Sequence, residues 1–338
     1  MKIALVSPYT LPVCRGNSLT VQRLCDGLRS RGHSVSIFNS TTDRPEELAG
    51  FTPDVIHALH ALRPHPWLME SKIAGSCPRV VTMTGTDYSE GDTSEVLHAL
   101  SDAQALIVFH EEAAECVRTR FPDLAERVNV IPQSVSVSGP AGAVPEEVRR
   151  TWNLSDDEFV IFMAAGVRPV KNIGYALKVF ELFRQKYSRA RLLLAGPELD
   201  AQESCRVRAQ AEQIEGFSYC GELSHEQVLK LMQATDVFLN TSLHEGMPGA
   251  VMEAMSAGCA VIATDVPGNR ALIANMRTGV LVPLHAPQVL CDAIAMLAAR
   301  ADLRYRLGEQ ARDEMQSRYG CEAELQAYEE LYKKSIAR

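Results

Sequence analysis

Several of the signatures that betray a protein's chemistry are missing from this chain. Its nine cysteines include no C-x-x-C pair. Cys25, Cys220 and Cys259 fall in apolar runs, where a thiol acts as a small hydrophobe, so a reducing compartment is expected. His57, His60 and His65 follow no common zinc spacing and have no cysteine pair beside them, so no metal is expected. Basic residues are outnumbered, 34 Lys and Arg against 42 Asp and Glu, for a net charge of -8. That balance offers no footprint for nucleic acid. Neither G-x-G-x-x-G nor G-x-x-x-x-G-K-[ST] occurs, so dinucleotide oxidoreductases and P-loop NTPases lose their mechanical basis. Long hydrophobic runs are also lacking. The opening Met-Lys-Ile-Ala-Leu-Val is broken by Ser7-Pro8, far short of a signal or membrane segment. It reads as a first strand, and the expectation is a cytoplasmic enzyme with no transmembrane segment.

What is present is a regular alternation. The apolar share of 46% and charged share of 22% are ordinary for a globular protein, and 338 residues suit two domains. Apolar runs at 3–6, 35–38, 55–58, 80–83, 106–109 and 128–131 alternate with helical patterns. Between the first two, Val21, Leu24, Cys25 and Leu28 keep helical spacing, and Gly32 ends the helix. A small, polar stretch at 137–147 reads as a linker. The alternation restarts with runs at 160–165, 192–195, 217–220, 237–239, 261–263 and 280–282. Ser224 and Gln227 form a capping box. From Pro287 the pattern is only helical, ending in a segment with two tyrosines and a lysine pair. This predicts an α/β protein with two doubly wound, Rossmann-like parallel sheets. The expected domains are 1–145, joined by a terminal helix near 320–338 that docks back on it, and 146–319.

The chemistry concentrates at two places. In Glu245-Gly246-Met247-Pro248-Gly249-Ala250-Val251-Met252-Glu253, Pro248 predicts the first helical position and Gly258 the stop. Glu245 then sits on a glycine-rich loop after the strand at 237–239, and Glu253 inside the helix. Ligands of parallel sheets bind at the carboxyl ends of strands, where a carboxylate can accept hydrogen bonds from sugar or ribose hydroxyls. In Gly166-Val167-Arg168-Pro169-Val170-Lys171-Asn172, a planar fork and a point charge follow the first strand of the second domain. Two cations there suit a diphosphate, although a pair of solvated basic side chains has the same appearance. Arg15-Gly16-Asn17, after the first strand, is a turn whose N–H groups can approach a phosphate.

On these motifs the chain resembles, over nearly its whole length, the family 4 retaining glycosyltransferases of GT-B architecture. The resemblance implies that Glu245 contacts the donor sugar's hydroxyls, beside Gly246, Met247, Pro248 and Gly249, and that Glu253 holds the ribose. It implies that Arg168 and Lys171 grip the diphosphate, with Gly166 alongside and with Gly16 and Asn17 approaching from the other domain as a cleft closes about the linker. Gly196-Pro197 and Gly221-Glu222-Leu223 correspond to loops flanking the base. The segments 166–172, 196–200 and 267–269 look most like the group that includes glycosyltransferase 1 domain-containing protein 1. Gly16-Asn17 with Thr20, Thr84-Gly85-Thr86-Asp87 and Gln133-Ser134 are also similar to selenosugar synthases.

Where many family members carry His-Gly-Thr-Asp, this chain has Thr84-Gly85-Thr86-Asp87, which leaves a histidine-dependent acceptor role without its residue. Asp87 orients hydroxyls or caps a helix. His110 and Gln133 end strands of the first domain, His110 as either a structural or a catalytic side chain. No D-x-D triplet occurs, which weighs against the metal-dependent transferases of the other major fold. The resemblance therefore implies a metal-independent hexosyltransferase that needs no cofactor, uses a nucleotide-sugar donor expected to be UDP-linked, and retains the anomeric configuration. Its acceptor contacts fall to the loops 59–67 and 88–93; the acceptor's identity and the oligomeric state leave no signature. The rivals are transfer to a small inorganic or thiol acceptor, a nucleotide-sugar epimerase, and a non-catalytic sugar-nucleotide binding protein.

Overall fold

The computed structural model describes residues 1–11, 16–73, 76–85, 87, 93–135 and 145–337. Each of the twelve apolar runs forms a strand: β1 (Lys2–Ser7), β2 (Ser34–Asn39), β3 (Val55–Leu59), β4 (Arg79–Thr82), β5 (Ala105–Val108) and β6 (Val128–Val130), then β7 (Phe159–Ala164), β8 (Ala190–Ala195), β9 (Phe217–Tyr219), β10 (Val237–Asn240), β11 (Val261–Thr264) and β12 (Val280–Val282). The chain divides into two compact units, Met1–Ser134 with Cys321–Arg338, and Val135–Gly320. Most of the segment 137–147 expected as a linker lies outside the described residues.

The first unit's sheet has the order β2-β1-β3-β4-β5-β6, all parallel. Both faces are buried, as a parallel sheet requires. Side chains alternate along each strand: Ala4, Val6, Ile56, Ala58 and Val81 enter one apolar cluster, while Ile3, Leu5, Val55, Val80 and Ile107 enter another. The helix Gly16–Ser30 lays Val21, Leu24, Cys25 and Leu28 on the second face. The last helix, Cys321–Ile336, covers the same face with Leu325, Tyr328, Leu331 and Tyr332. So the expected docking of the terminal helix onto the first sheet is observed. Polar contacts fix its seat: Arg23 pairs with Glu324, and buried His57 bridges Tyr332 Oη and Thr82 Oγ1, at 2.7 Å each.

The second unit's parallel sheet, taken from its other edge, runs β9-β8-β7-β10-β11-β12. This is the 3-2-1-4-5-6 order, whose direction reverses between β7 and β10. Such a reversal opens a crevice beyond the carboxyl ends of the two strands. The core gathers Ile161, Leu192, Leu194, Leu239 and Ile262 with Leu177, Phe180 and Phe183 of the helix Ile173–Arg184. The capping box of Ser224 and Gln227 is present.

After β10, the helix Gly249–Ser256 ends in paired bonds from Gly258 N to Met255 O (3.0 Å) and Cys259 N to Ala254 O (2.9 Å). That arrangement needs the left-handed φ of 78° seen at Gly258. Its start corrects the sequence reading. Pro248 caps the helix from outside, with an extended ψ of 105°, instead of occupying the first helical position. Its carbonyl accepts the N–H groups of Val251 and Met252, so the helical bonding begins one residue later than Pro248's own preference suggested. Two further helices, Pro287–Ala299 and Ala301–Arg318, complete this unit. Among the described residues no helix is long and apolar enough to cross a membrane.

Candidate functional site

The reversal between β7 and β10 is where the charged side chains meet. Beyond β7, Arg168 is extended and Pro169–Lys171 forms a single tight turn. The loop after β10 is stitched to that turn: Leu243 N–H donates to Val170 O (2.9 Å), and Thr241 Oγ1 donates to Lys171 O (3.0 Å). These bonds bring Lys171 Nζ within 2.6 Å of Glu245 Oε1, with both side chains largely buried. Ser242 Oγ (2.6 Å) and Asn240 Nδ2 (3.2 Å) donate to the same oxygen. All three donors converge on Oε1. Among the described residues no hydrogen bond reaches Oε2. Burial is the strongest single influence on this carboxyl and raises its pKa, but Lys171, Ser242 and Asn240 together outweigh it and hold the group below its ordinary value.

Arg168 stands beside this pair in the chain, and its Nε is buried without a hydrogen-bond partner. The loops expected around it adjoin. Val167 N–H donates to Pro197 O (2.8 Å), and Gly196 N–H to Gly221 O (2.8 Å), so the stretches carrying Gly166, Gly196-Pro197 and Gly221 lie side by side beyond β7, β8 and β9. Glu222 is exposed and Leu223 half-buried. Gly246, Met247 and Pro248 lead into the helix that Gly249 opens, whose first N–H groups have no intrahelical acceptor. Glu253, inside that helix, is not joined to the Lys171–Glu245 pair by a described contact. Its Oε1 accepts from His225 Nε2 across 2.9 Å, and that bond raises the His225 pKa.

In the first unit, Gly16 and Asn17 begin the helix Gly16–Ser30, while Arg15 lies outside the described residues. Asp87 is buried, and its carboxylate accepts the backbone N–H groups of Ala61 (2.9 Å), Thr84 (3.1 Å) and Gly85 (2.9 Å). It thus shapes the turn that carries Thr84. Thr86 and residues 88–92 lie outside the described residues. His110 caps the helix Glu111–Arg120, its Nδ1 accepting Ala113 N–H at 3.1 Å. Gln133 Oε1 accepts from Thr20 Oγ1 at 2.9 Å.

Three residues of the second unit escape the sequence reading, Asn240 and Ser242 behind Glu245 and His225 against Glu253, while Asn269 entered it only within the segment 267–269, without a role. The available signal was the polar run Asn240-Thr241-Ser242 directly after the apolar Val237-Phe238-Leu239. His225 gives no local signal, because Glu253 lies 28 residues away, and Asn269 bonds nearby Thr264 but reaches Asn240 across 29 residues. Among the described residues no group of three or more His, Cys, Asp or Glu side chains is placed to hold a metal ion.

Known proteins share this architecture. The chain is 25% identical to glycosyltransferase 1 domain-containing protein 1 of Xenopus tropicalis, over 94% of this chain and 93% of that one. Sucrose-phosphate synthase from Thermosynechococcus elongatus superposes with a TM-score of 0.85 at 19% identity, covering 99% of each chain. Anabaena HepE, solved with UDP and glucose, superposes with a TM-score of 0.82 at 16% identity, covering 99% of this chain and all of that one. The two superpositions establish the GT-B fold. The family described as glycosyl transferases group 1 matches residues 144–314, half of the chain and the unit that carries the Lys171–Glu245 pair, and the protein belongs to that family.

Proposed function

We propose that this protein transfers a sugar from a UDP-linked donor to an acceptor, with retention at the anomeric carbon and without a metal. The observation that supports it most directly is Glu245 at the strand-order reversal, with Oε1 saturated by Lys171, Ser242 and Asn240 and Oε2 clear of described protein hydrogen bonds. An ionised carboxylate held in this way accepts a hydroxyl of the donor sugar at its remaining oxygen. Arg168, with an unpartnered Nε, and Lys171 take the diphosphate. Glu253, oriented by His225, takes the ribose.

In the reaction the bond from C1 of the sugar to the diphosphate oxygen breaks while the acceptor bonds to C1 on the same face. The acceptor's proton passes to the departing phosphate oxygen, so no side-chain nucleophile is needed. Arg168 and Lys171 stabilise the negative charge that grows on the leaving group. The UDP preference draws on the resemblance and on the UDP held by Anabaena HepE.

Thermal shift against UDP-, GDP- and ADP-sugars tests the donor, because a ligand of the folded state raises the melting temperature as its concentration exceeds Kd. Stabilisation by a UDP-sugar is expected. Stabilisation by a GDP- or ADP-sugar alone would reassign the base, and stabilisation by none would overturn the reading. Incubation with the stabilising donor alone then separates the enzyme classes: slow release of free sugar and nucleotide marks a transferase, and an epimeric sugar nucleotide marks an isomerase.

A further inference from the structure

We infer that Asn269 and Asn240 are positioning residues forming an amide relay that decides which oxygen of Glu245 faces the donor sugar. This inference rests on the donor reading above. Asn269, wholly buried, begins the relay. Its Nδ2 lies 2.8 Å from Thr264 O and 3.2 Å from Asn240 Oδ1. A backbone carbonyl only accepts, so the side of Asn269 facing it must be the NH2 group. That group forces Asn240 to present its oxygen, which also accepts Ser242 N–H at 3.2 Å. With Oδ1 held by two donors, Asn240 has only its NH2 to offer on the other side, and this reaches Glu245 Oε1.

Thr264 anchors both ends of the chain of bonds. Its carbonyl fixes Asn269, and its Oγ1 donates to Ser242 O at 2.6 Å, steadying the residue whose hydroxyl also donates to Glu245. The two loops also meet backbone to backbone. A Cβ at Gly268 would fall 2.5 Å from Glu245 O and 2.6 Å from Gly246 O, so backbone rests on backbone there. A single donor-or-acceptor choice at Thr264 O is thereby transmitted through two buried amides to the carboxylate. Its consequence is that Oε1 is consumed by the protein and Oε2 is the oxygen left for substrate.

The test is calorimetry with UDP and UDP-glucose on wild type, Asn269→Asp, Asn240→Leu and the double variant. Asn269→Asp keeps the shape and, ionised, replaces both donors with an acceptor. This favours a turned-over Asn240, with its oxygen against Glu245 Oε1, over the hold that Ser242 N–H keeps on the native orientation. Binding of UDP-glucose is expected to weaken about tenfold or more, the effect of a lost charge-assisted bond replaced by repulsion. UDP, which lacks the sugar, should bind as in wild type. In the Asn240→Leu background, Asn269→Asp should add nothing, because its route to Glu245 is gone. Equal weakening of both ligands, or full additivity of the two substitutions, would overturn the relay.

A second readout needs no ligand and also serves if Asn269→Asp folds poorly. In protein labelled with 13C at glutamate Cδ, with Glu245→Gln for assignment, Asn240→Asp should shift the Glu245 titration upward by placing a carboxylate against its own. An unmoved titration would overturn the relay. Failure of wild type to bind any UDP compound while that titration moves would sink the donor reading and leave the last step of the relay, from Asn240 to Glu245, standing.

Discussion

Arg168 and Lys171 look alike in the sequence, two cations in one loop, but their surroundings give them different consequences when removed. Lys171 neutralises a nearly buried carboxylate at 2.6 Å, so Lys171→Met leaves that charge unpaired. Unpairing a buried charge destabilises by about 3–5 kcal/mol at the buried limit, and the remaining exposure of both groups reduces it here. Arg168 Nε has no partner to abandon, so Arg168→Met should leave the melting temperature near wild type. In the proposed reaction both cations act on charge that develops in the transition state, so both substitutions are expected to lower kcat about a hundredfold, more than they raise KM. Steady-state kinetics with melting curves checks this: an unchanged kcat in either variant contradicts the diphosphate role, and equal melting losses contradict the distinction. The sequence could place both cations after one strand. It could not show that only Lys171 reaches Glu245, because that depends on Thr241 and Leu243 docking on a turn about 70 residues away in the chain.

The terminal helix Cys321–Ile336 carries a buried polar contact inside its apolar face, from Tyr332 to His57, and that contact is sensitive to acid. Burial lowers the His57 pKa from 6.5 to about 3, so the imidazole is neutral while it bridges Tyr332 and Thr82. A pKa depressed on folding means that the unfolded chain binds the extra proton. The stability is complete above about pH 6.5 and is lost as pH falls toward about 3, at up to about 1.4 kcal/mol per pH unit for one proton. His57→Asn should therefore flatten the acid side of stability measured by urea unfolding across that window, and an identical slope would show that other groups control it. Tyr332→Phe should cost about 1–3 kcal/mol by stranding a buried ring nitrogen. Elements of this kind were readable because strands buried on both faces are unbroken apolar runs, such as Ala105-Leu106-Ile107-Val108. Their order was not, since the reversal between β7 and β10 is set by pairings such as Phe238 with Phe162, which leave no local pattern.

For the molecule as a whole, the net charge of -8 opposes a negatively charged diphosphate, and the issue is which charges the donor senses. At physiological ionic strength the Debye length is about 8 Å, so acidic side chains spread over the surface are largely screened at any one site. The local set governs instead. There Lys171 is shared with Glu245 while Arg168 has donor capacity to spare. If these two cations supply the compensation that a divalent ion supplies to diphosphates in other enzymes, no third charge is needed. Turnover should then survive exhaustive dialysis against excess EDTA, and added Mg2+ or Mn2+ should not raise it. The same preparation should lose turnover when Arg168 and Lys171 are neutralised together, and divalent ions should fail to restore it. Abolition of wild-type activity by chelator, reversed by Mg2+ or Mn2+, would instead assign part of the diphosphate's compensation to a metal and reduce the two side chains to an auxiliary role.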